Sequence, residues 1–501
     1  MDIYTAAKAN PKTEIRGKRT ERAKVFQLPD GSKRHLCFGA PIHYLTPVGE
    51  GERLAYDEFD DIDIRLVHSE AKVDKTFGNH LALKNKFTYG FRDDGKSEKC
   101  IGIRRGVNNQ MEWTPKAIKL GGVDKTIPTS FTSIEKASDF SIKHKYTDYD
   151  LITNFNEVHL CTAVKTKSQI NDFLVQEIIN LKGITILNKT KLADSKSSIV
   201  EYLPNKDNEF RFATTDGESL WIPTPKMWVE PSEAEMQAPQ MDIASREITH
   251  RLFEEDGKLI YEKVPTAKGK IWLASKDAPV FIDGDTYTGS TGDGYISRKD
   301  SLWSGVRDGT AGNDLLNSTD TLYNYAIQLI RVNDVDYRIC RVFLFFDTSS
   351  VSSKPSSAVL KVYVTRTSPQ PVCALKSTIS GTTVNDYAQY NDFSGNEYGH
   401  ATWTLGAYRS ITFNATGQGD ISLTGVTKIC CRDYTHDYLD VNPANSTQCY
   451  AGVTFANSAT NKPYLDIVEP SGWTGKVMGV TDPAKIMGVA VADIKSVMGV
   501  E

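Results

Sequence analysis

The stretch Tyr337–Val364 reads YRICRVFLFFDTSSVSSKPSSAVLKVYV, and its reading decides the fold. In its first part, Val342, Leu344 and Phe346 fall on one face of an extended chain, with Phe343 and Phe345 on the other. A strand that is apolar on both faces needs cover on both sides. In its second part, Ala358, Leu360, Val362 and Val364 point one way, and Val359, Lys361 and Tyr363 the other. That alternation is the signature of a half-buried strand. The connection between them is rich in Ser and carries Pro355, so it continues neither strand. Two such strands joined by a polar turn predict the core of a β-sandwich.

Working outward, further strand patterns lie at Tyr323–Arg331, Thr402–Leu405, Arg409–Phe413, Gly425–Arg432, Tyr450–Phe455 and Pro463–Val468, separated by Gly, Asn and Ser turns. Their spacing predicts a jelly-roll-like sandwich. Upstream, runs such as Phe87–Phe91, Cys100–Arg104, Glu157–Thr166 and Phe210–Ala213 predict a second β-rich region. Strands are also expected at Leu259–Lys263 and Lys270–Leu273, and a turn at Glu254–Gly257. One amphipathic helix is expected near 168–181. There Ile170, Phe173, Leu174, Ile178 and Leu181 recur at helical spacing, with Ser168 as N-cap and Gly183 as stop. Residues 1–36 carry nine Lys and Arg against four acids, a locally basic arm suited to an acidic partner surface or to solvent. Within it, Val25, Phe26 and Leu28, then Pro29-Asp30-Gly31, then Leu36–Phe38 predict a small hairpin. The fold class is therefore mostly β: a sandwich domain preceded by a β-rich domain with one or more short helices. The expected divisions are 1–80, 81–282, 283–470 and a tail, 471–501.

Composition narrows the function classes. The 501 residues carry 59 Lys and Arg against 63 Asp and Glu, a net charge of −4, which argues against bulk nucleic-acid binding. No run of eighteen apolar residues is present, so no membrane span is expected. The N-terminal segment lacks the apolar core of a secretory signal, so synthesis and assembly in a cytoplasm are expected. The eight Cys show no Cys-x-x-Cys pair and read as free, mostly buried thiols.

Several residue groups resemble known families. Arg338, Arg341, Phe346 and Asp347, then Ala358, Leu360 and Val362, then Pro463, Tyr464, Leu465 and Ile467 resemble the strands of the DNRLRE-type β-sandwich domain. The resemblance spans roughly Asp283–Pro470. It is supported by Gly257–Tyr261, Val264-Pro265, Ala278–Val280 and Ile282-Asp283, which resemble the segment leading into such domains. The order Arg19-Thr20-Glu21, Lys24-Val25-Phe26, Pro41-Ile42-His43-Tyr44 and Asp61-Ile62-Asp63 resembles the opening of certain phage structural proteins and related surface proteins, with Phe59 where those carry Trp. The tail holds three copies of Met-Gly-Val, at Met478–Val480, Met487–Val489 and Met498–Val500, each preceded by a β-branched residue. Similar tails close many phage structural proteins. These resemblances imply a virion location, other virion proteins as partners and a homo-oligomer, trimeric by analogy. Met478, Val480, Met487, Val489, Met498 and Val500 are the implied assembly residues.

Catalytic chemistry is not legible. There is no His-Glu-x-x-His, Gly-x-Ser-x-Gly, Walker A or Gly-x-Gly-x-x-Gly, and the nine His lack metal-ligand spacing. A non-enzymatic protein without a cofactor is expected. Asp283 and Asp285 form a weak Ca²⁺ candidate, as does the acidic run at 56–63, which lacks calcium-loop spacing. Glycan contact is the stronger site hypothesis. Tyr295, Trp303, Tyr387, Tyr390, Tyr398 and Trp403 are candidate stacking rings, the last four in or near the long polar loop Asn385–His400. The expected function is a structural component of a tailed-phage particle, a collar, head-fibre or tail-associated spike, in contact with host glycans. The alternative is a secreted or surface carbohydrate-binding adhesin module.

Overall fold

The computed structural model of the chain describes residues 14–48, 55–61, 67–68, 80–82, 87–91, 101–105, 108–125, 133–138, 141–155, 159–188, 191–193, 199–206, 208–229, 244–245, 247–277, 279–282, 285–287, 293–317, 327–332, 336–367, 370–380, 387–445, 447–456, 458, 461–470, 476–477, 480–481, 485–486 and 489–490. The protein is mostly β, with antiparallel sheets and few helices. It forms two compact units, one of Met1–Asp60 with Thr291–Glu501, the other of Asp61–Ser290.

In the first unit, strand Asp336–Asp347 is covered on both faces, as its two apolar faces require. Val342, Leu344 and Phe346 are buried together with Leu360, Val362, Leu465 and Ile467. On the opposite face, Phe343 and Phe345 are buried with Ile296, Val306 and Tyr390. Each such side chain contributes roughly 1.5–3 kcal/mol by leaving water. Strand Ser357–Thr367 pairs along its first residues with Tyr464–Glu469 and Tyr408–Thr412. Its last residues pair with Gln448–Val453, after a register shift between Val364 and Arg366. Such an irregularity bends a strand, and here it lies within the pairing to Gln448–Val453, between Val364, opposite Val453, and Arg366, opposite Gly452. The result is sandwich-like.

The N-terminal hairpin belongs to this unit. Ala23–Gln27 pairs with Lys33–Phe38, which in turn pairs with Tyr464–Glu469. The turn between them closes through Asp30, whose carboxylate accepts the Ser32 amide at 3.0 Å, while Gly31 takes φ +82°, a conformation that suits glycine. Side chains then fasten the hairpin to the sandwich. Arg34 donates to Asp466 at 2.8 and 2.7 Å, and His35 lies 3.0 Å from Glu469. The structure thus divides the chain differently from the sequence reading, with the hairpin in the sandwich rather than in a separate arm.

The second unit corrects two expectations. The amphipathic helix expected near 168–181 is instead strand Phe173–Lys182, paired with Asn109–Leu120 and Lys258–Pro265. Its inward residues are Phe173, Val175, Glu177 and Ile179. Glu177 tolerates burial because the Lys263 ammonium lies 3.1 Å away on the neighbouring strand. The strand expected at Lys270–Leu273 is instead part of helix Ala267–Ala274. Thr266 caps it by accepting the Gly269 amide at 3.1 Å. Gly269 itself is required by packing, since a Cβ there would lie 2.2 Å from the Glu247 carbonyl oxygen. The turn expected at Glu254–Gly257 is present: Asp256 and Gly257 take φ +50° and +70° between strands Ile248–Glu255 and Lys258–Pro265.

Candidate functional site

The site is built on one row of residues across neighbouring strands. Cys373, on strand Gln370–Ser377, lies opposite Arg432 on one side and His400 on the other. Directly opposed residues share a face of the sheet. The register that pairs Val342 with Cys431 also brings Arg341 alongside Arg432. The row therefore runs Arg341, Arg432, Cys373, His400, from a buried charge to an exposed ring.

At the buried end, two guanidiniums share one carboxylate. Arg341 donates to Asp437 at 2.9 and 2.7 Å, and Arg432 donates through the same two nitrogen types, one contact being 2.9 Å. The side chains of Arg341 and Asp437 are fully buried. The uncompensated positive charge rests on ring faces: the Arg341 guanidinium carbon lies 4.1 Å from the Tyr390 centroid, and that of Arg432 lies 4.2 Å from Phe393. Remaining donors reach Asn391 Oδ1, the Tyr390 carbonyl and the Arg307 carbonyl. Burial alone raises a carboxyl pKa, but the two guanidiniums outweigh it and hold Asp437 well below the usual carboxylate range.

Asp437 sits in a single π-turn, Tyr434–Tyr438, closed by the Leu439 amide on the Tyr434 carbonyl at 3.0 Å. Asp433 caps the turn by accepting the His436 amide at 2.6 Å. The turn therefore has a buried anchor and a cap. It presents Tyr434 and Tyr438 outward, four residues apart. Tyr434 stacks on His400 with centroids 3.9 Å apart and planes 15° from parallel. Tyr438 continues the column at 5.7 Å and 16°. His400 Nδ1 lies 3.0 Å from a Glu397 carboxylate oxygen, and the Glu397 amide donates to the Tyr438 hydroxyl at 3.2 Å. The His400 side chain is 44% exposed. The three rings form a ladder at the surface, with a carboxylate at its rim. Leu439 and Val441 are exposed beside it.

The sequence-expected stacking rings lie elsewhere. Tyr295, Tyr390, Tyr398 and Trp403 are buried and so offer no face to a sugar. Tyr295 and Tyr398 are core residues, and the hydroxyls of Tyr390 and Tyr398 are taken by the Val306 carbonyl and by Asp420. The loop expected at Asn385–His400 is instead, from Phe393 onward, part of strand Phe393–Trp403, paired with Gln370–Ser377, and Tyr398 and Trp403 are buried from it, while Tyr295 is buried from strand Gly294–Asp300. Trp303 is partly exposed, and its indole nitrogen donates to Asp440 at 2.9 Å, two residues beyond Tyr438. The side chain of Tyr387 lies outside the described residues. So does Asp283, and the side chain of Asp285, on strand Asp285–Tyr287, is likewise outside them. The side chains of the acidic run 56–63 are also outside them. Among the described residues, no three His, Cys, Asp or Glu side chains cluster as metal ligands.

In the tail, Val477 pairs with Val480, and Ile486 with Val489. Each pairing leaves two residues, Met478-Gly479 and Met487-Gly488, between the paired positions. Met478, Met487, Met498 and Val500 lie outside the described residues.

No family model matches the chain, and no curated protein matches it. Among solved structures, it aligns with an exo-beta-1,3-galactanase from Phanerochaete chrysosporium with galactose, at 10% identity over 80% of this chain and 100% of that one, with a TM-score of 0.11. A second structure of that enzyme, with beta-1,3-galactotriose, aligns at 9% identity over 78% and 95%, also at 0.11. Likeness at that level carries no argument about fold or function.

Proposed function

We propose that the chain is a non-enzymatic structural component of a tailed-phage particle, a collar, head-fibre or tail-associated spike, whose sandwich contacts host-surface glycans. The observation that carries the glycan half of this reading is the ladder of His400, Tyr434 and Tyr438, with His400 exposed and the two tyrosines half-buried. Tyr434 holds the two end rings, His400 and Tyr438, parallel, and end rings fixed before binding give a sugar an apolar platform at little ordering cost. The buried cluster around Asp437 supplies that rigidity. The sandwich carboxylates of Asp437 and Glu469 accept from internal donors, which suits a building and binding role. The particle half rests on the residues at 19–63 that resemble the opening of phage structural and related surface proteins, and on those at 337–364 and 463–467 that resemble the DNRLRE-type sandwich domain. It rests also on the Met-Gly-Val tail, read as the segment that joins other virion proteins or further copies of this chain.

The test is binding of the fluorescently labelled full chain to intact bacteria. The reading expects saturable binding that soluble cell-surface polysaccharide competes away and that Tyr434→Ala weakens about tenfold or more. Binding unchanged by both would overturn it.

A further inference from the structure

The rim of the ladder carries a charge that selects among sugars. Resting on the glycan-contact reading above, we propose that this surface takes neutral sugar chains and rejects anionic ones, with Glu397 as the specificity-determining residue.

Glu397 is fixed at both ends of the ladder. Its carboxylate meets His400, and its backbone amide meets the Tyr438 hydroxyl. The Glu397 side chain is 23% exposed and lies beside the exposed His400 ring, so its carboxylate is partly open to solvent at the rim of the ladder. A carboxylate offers about four lone-pair sites. The contact with His400 leaves acceptor capacity for sugar hydroxyls, which are donors. A sugar carboxylate or sulfate has no donor to offer and brings a like charge instead. Two such charges repel, more strongly at a protein surface than in bulk water.

Arg307, which reaches the turn that carries the tyrosines, is already committed. Arg307 donates to the Asp437 carbonyl at 2.9 Å and to Asp308 at 2.7 Å, and lies 3.4 Å from Asp440. Its charge is thereby directed at two carboxylates rather than at the ladder. The rings match a neutral sugar too. The C–H face of a pyranose carries small positive partial charges that suit the negative face of an aromatic ring.

The experiment is an array of neutral, uronate-containing, sialylated and sulfated glycans, probed with the full chain and with Glu397→Gln and His400→Ala. Circular dichroism establishes that each variant is folded. The proposal expects wild-type binding confined to neutral glycans and weakened about tenfold in His400→Ala, the loss of one good stacking contact. It expects Glu397→Gln to gain anionic glycans by about fivefold or more, the size of a screened like-charge repulsion. Wild-type binding to anionic glycans at or above the neutral level overturns the specificity while leaving the glycan reading intact. So does a Glu397→Gln variant with unchanged selectivity. Binding to no glycan on the array overturns both.

Discussion

Arg341 and Asp437, 96 residues apart in the chain, meet through two hydrogen bonds of 2.9 and 2.7 Å with both side chains fully buried. This contact ties the central strand of the sandwich to the π-turn that carries the surface ladder. Arg432 shares the same carboxylate, so the cluster has two cations and one anion.

Removing the anion leaves two guanidiniums buried against a neutral amide. Asp437→Asn is therefore expected to destabilise the protein by about 3–5 kcal/mol, the usual cost of breaking a buried ion pair from one side. Urea unfolding at neutral pH measures this. A midpoint equal to that of the wild type would show that the cluster is not an anchor.

How much of this was legible in the sequence depended on whether a residue's neighbours lie on its own element. Strand Asp336–Asp347 was readable because its apolar residues occupy both faces without interruption. The helix expected near 168–181 was a misreading with a definite cause. Burial alternates along Phe173, Val175, Glu177 and Ile179, but the charged Glu177 hides the alternation, and its partner Lys263 lies on another strand. His400 fell within the loop singled out for its polar and aromatic residues. Tyr434 and Tyr438 were missed, because a π-turn held by an arginine from a distant strand leaves no local pattern.

Two carboxyls give opposite pH dependence. For Glu469, burial works upward, but the hydrogen bond from His35 and the amides of Ser353 and Ser352 outweigh it and hold the carboxyl at about 2. A depressed folded-state value gives stability that is present above the ordinary 4.5 and lost as pH falls toward about 2. Asp293 is the reverse. Burial pushes it up to about 7, against the pull of the Phe345 and Ala456 amides, each of which donates to it at 3.0 Å. A raised value in an acid lowers stability as pH climbs from the ordinary 3.8 through about 7. Unfolding midpoints across this range are expected to show a smaller loss on acidification below 4.5 in Glu469→Gln. In Asp293→Asn they are expected to show a flatter slope between 4 and 7. Slopes identical to the wild type in both variants would remove these groups from the account.

Gly39 follows the N-terminal hairpin with no room for a side chain. A Cβ there would lie 2.4 Å from the Phe345 carbonyl oxygen and 2.9 Å from Ala456 Cβ. Gly39→Ala is expected to cost about 1–3 kcal/mol, as overpacking does. Thermal melting would record it as a lowered midpoint. An unchanged midpoint would mean that the hairpin shifts freely against the sandwich.

The thiols offer a check on the core. Cys37, Cys161, Cys340, Cys373, Cys430 and Cys431 are buried. Burial pushes Cys37 and Cys430 up to about 12, so neither forms the reactive thiolate near neutral pH. The sequence has eight Cys, and eight minus these six leaves two. A thiol reagent at pH 8 is expected to titrate at most two per native chain and eight after denaturation. More than two in the native state would contradict the packing described.

The central claim is that a surface ladder held by a buried ion cluster binds sugar. Its most direct measurement is surface plasmon resonance of the full chain, wild type and Tyr434→Ala, over immobilised bacterial surface polysaccharide. The account predicts that Tyr434→Ala keeps the wild-type melting temperature and loses about tenfold or more in affinity, as removal of a ring at the centre of a stack implies. Equal affinity in the two proteins would contradict it.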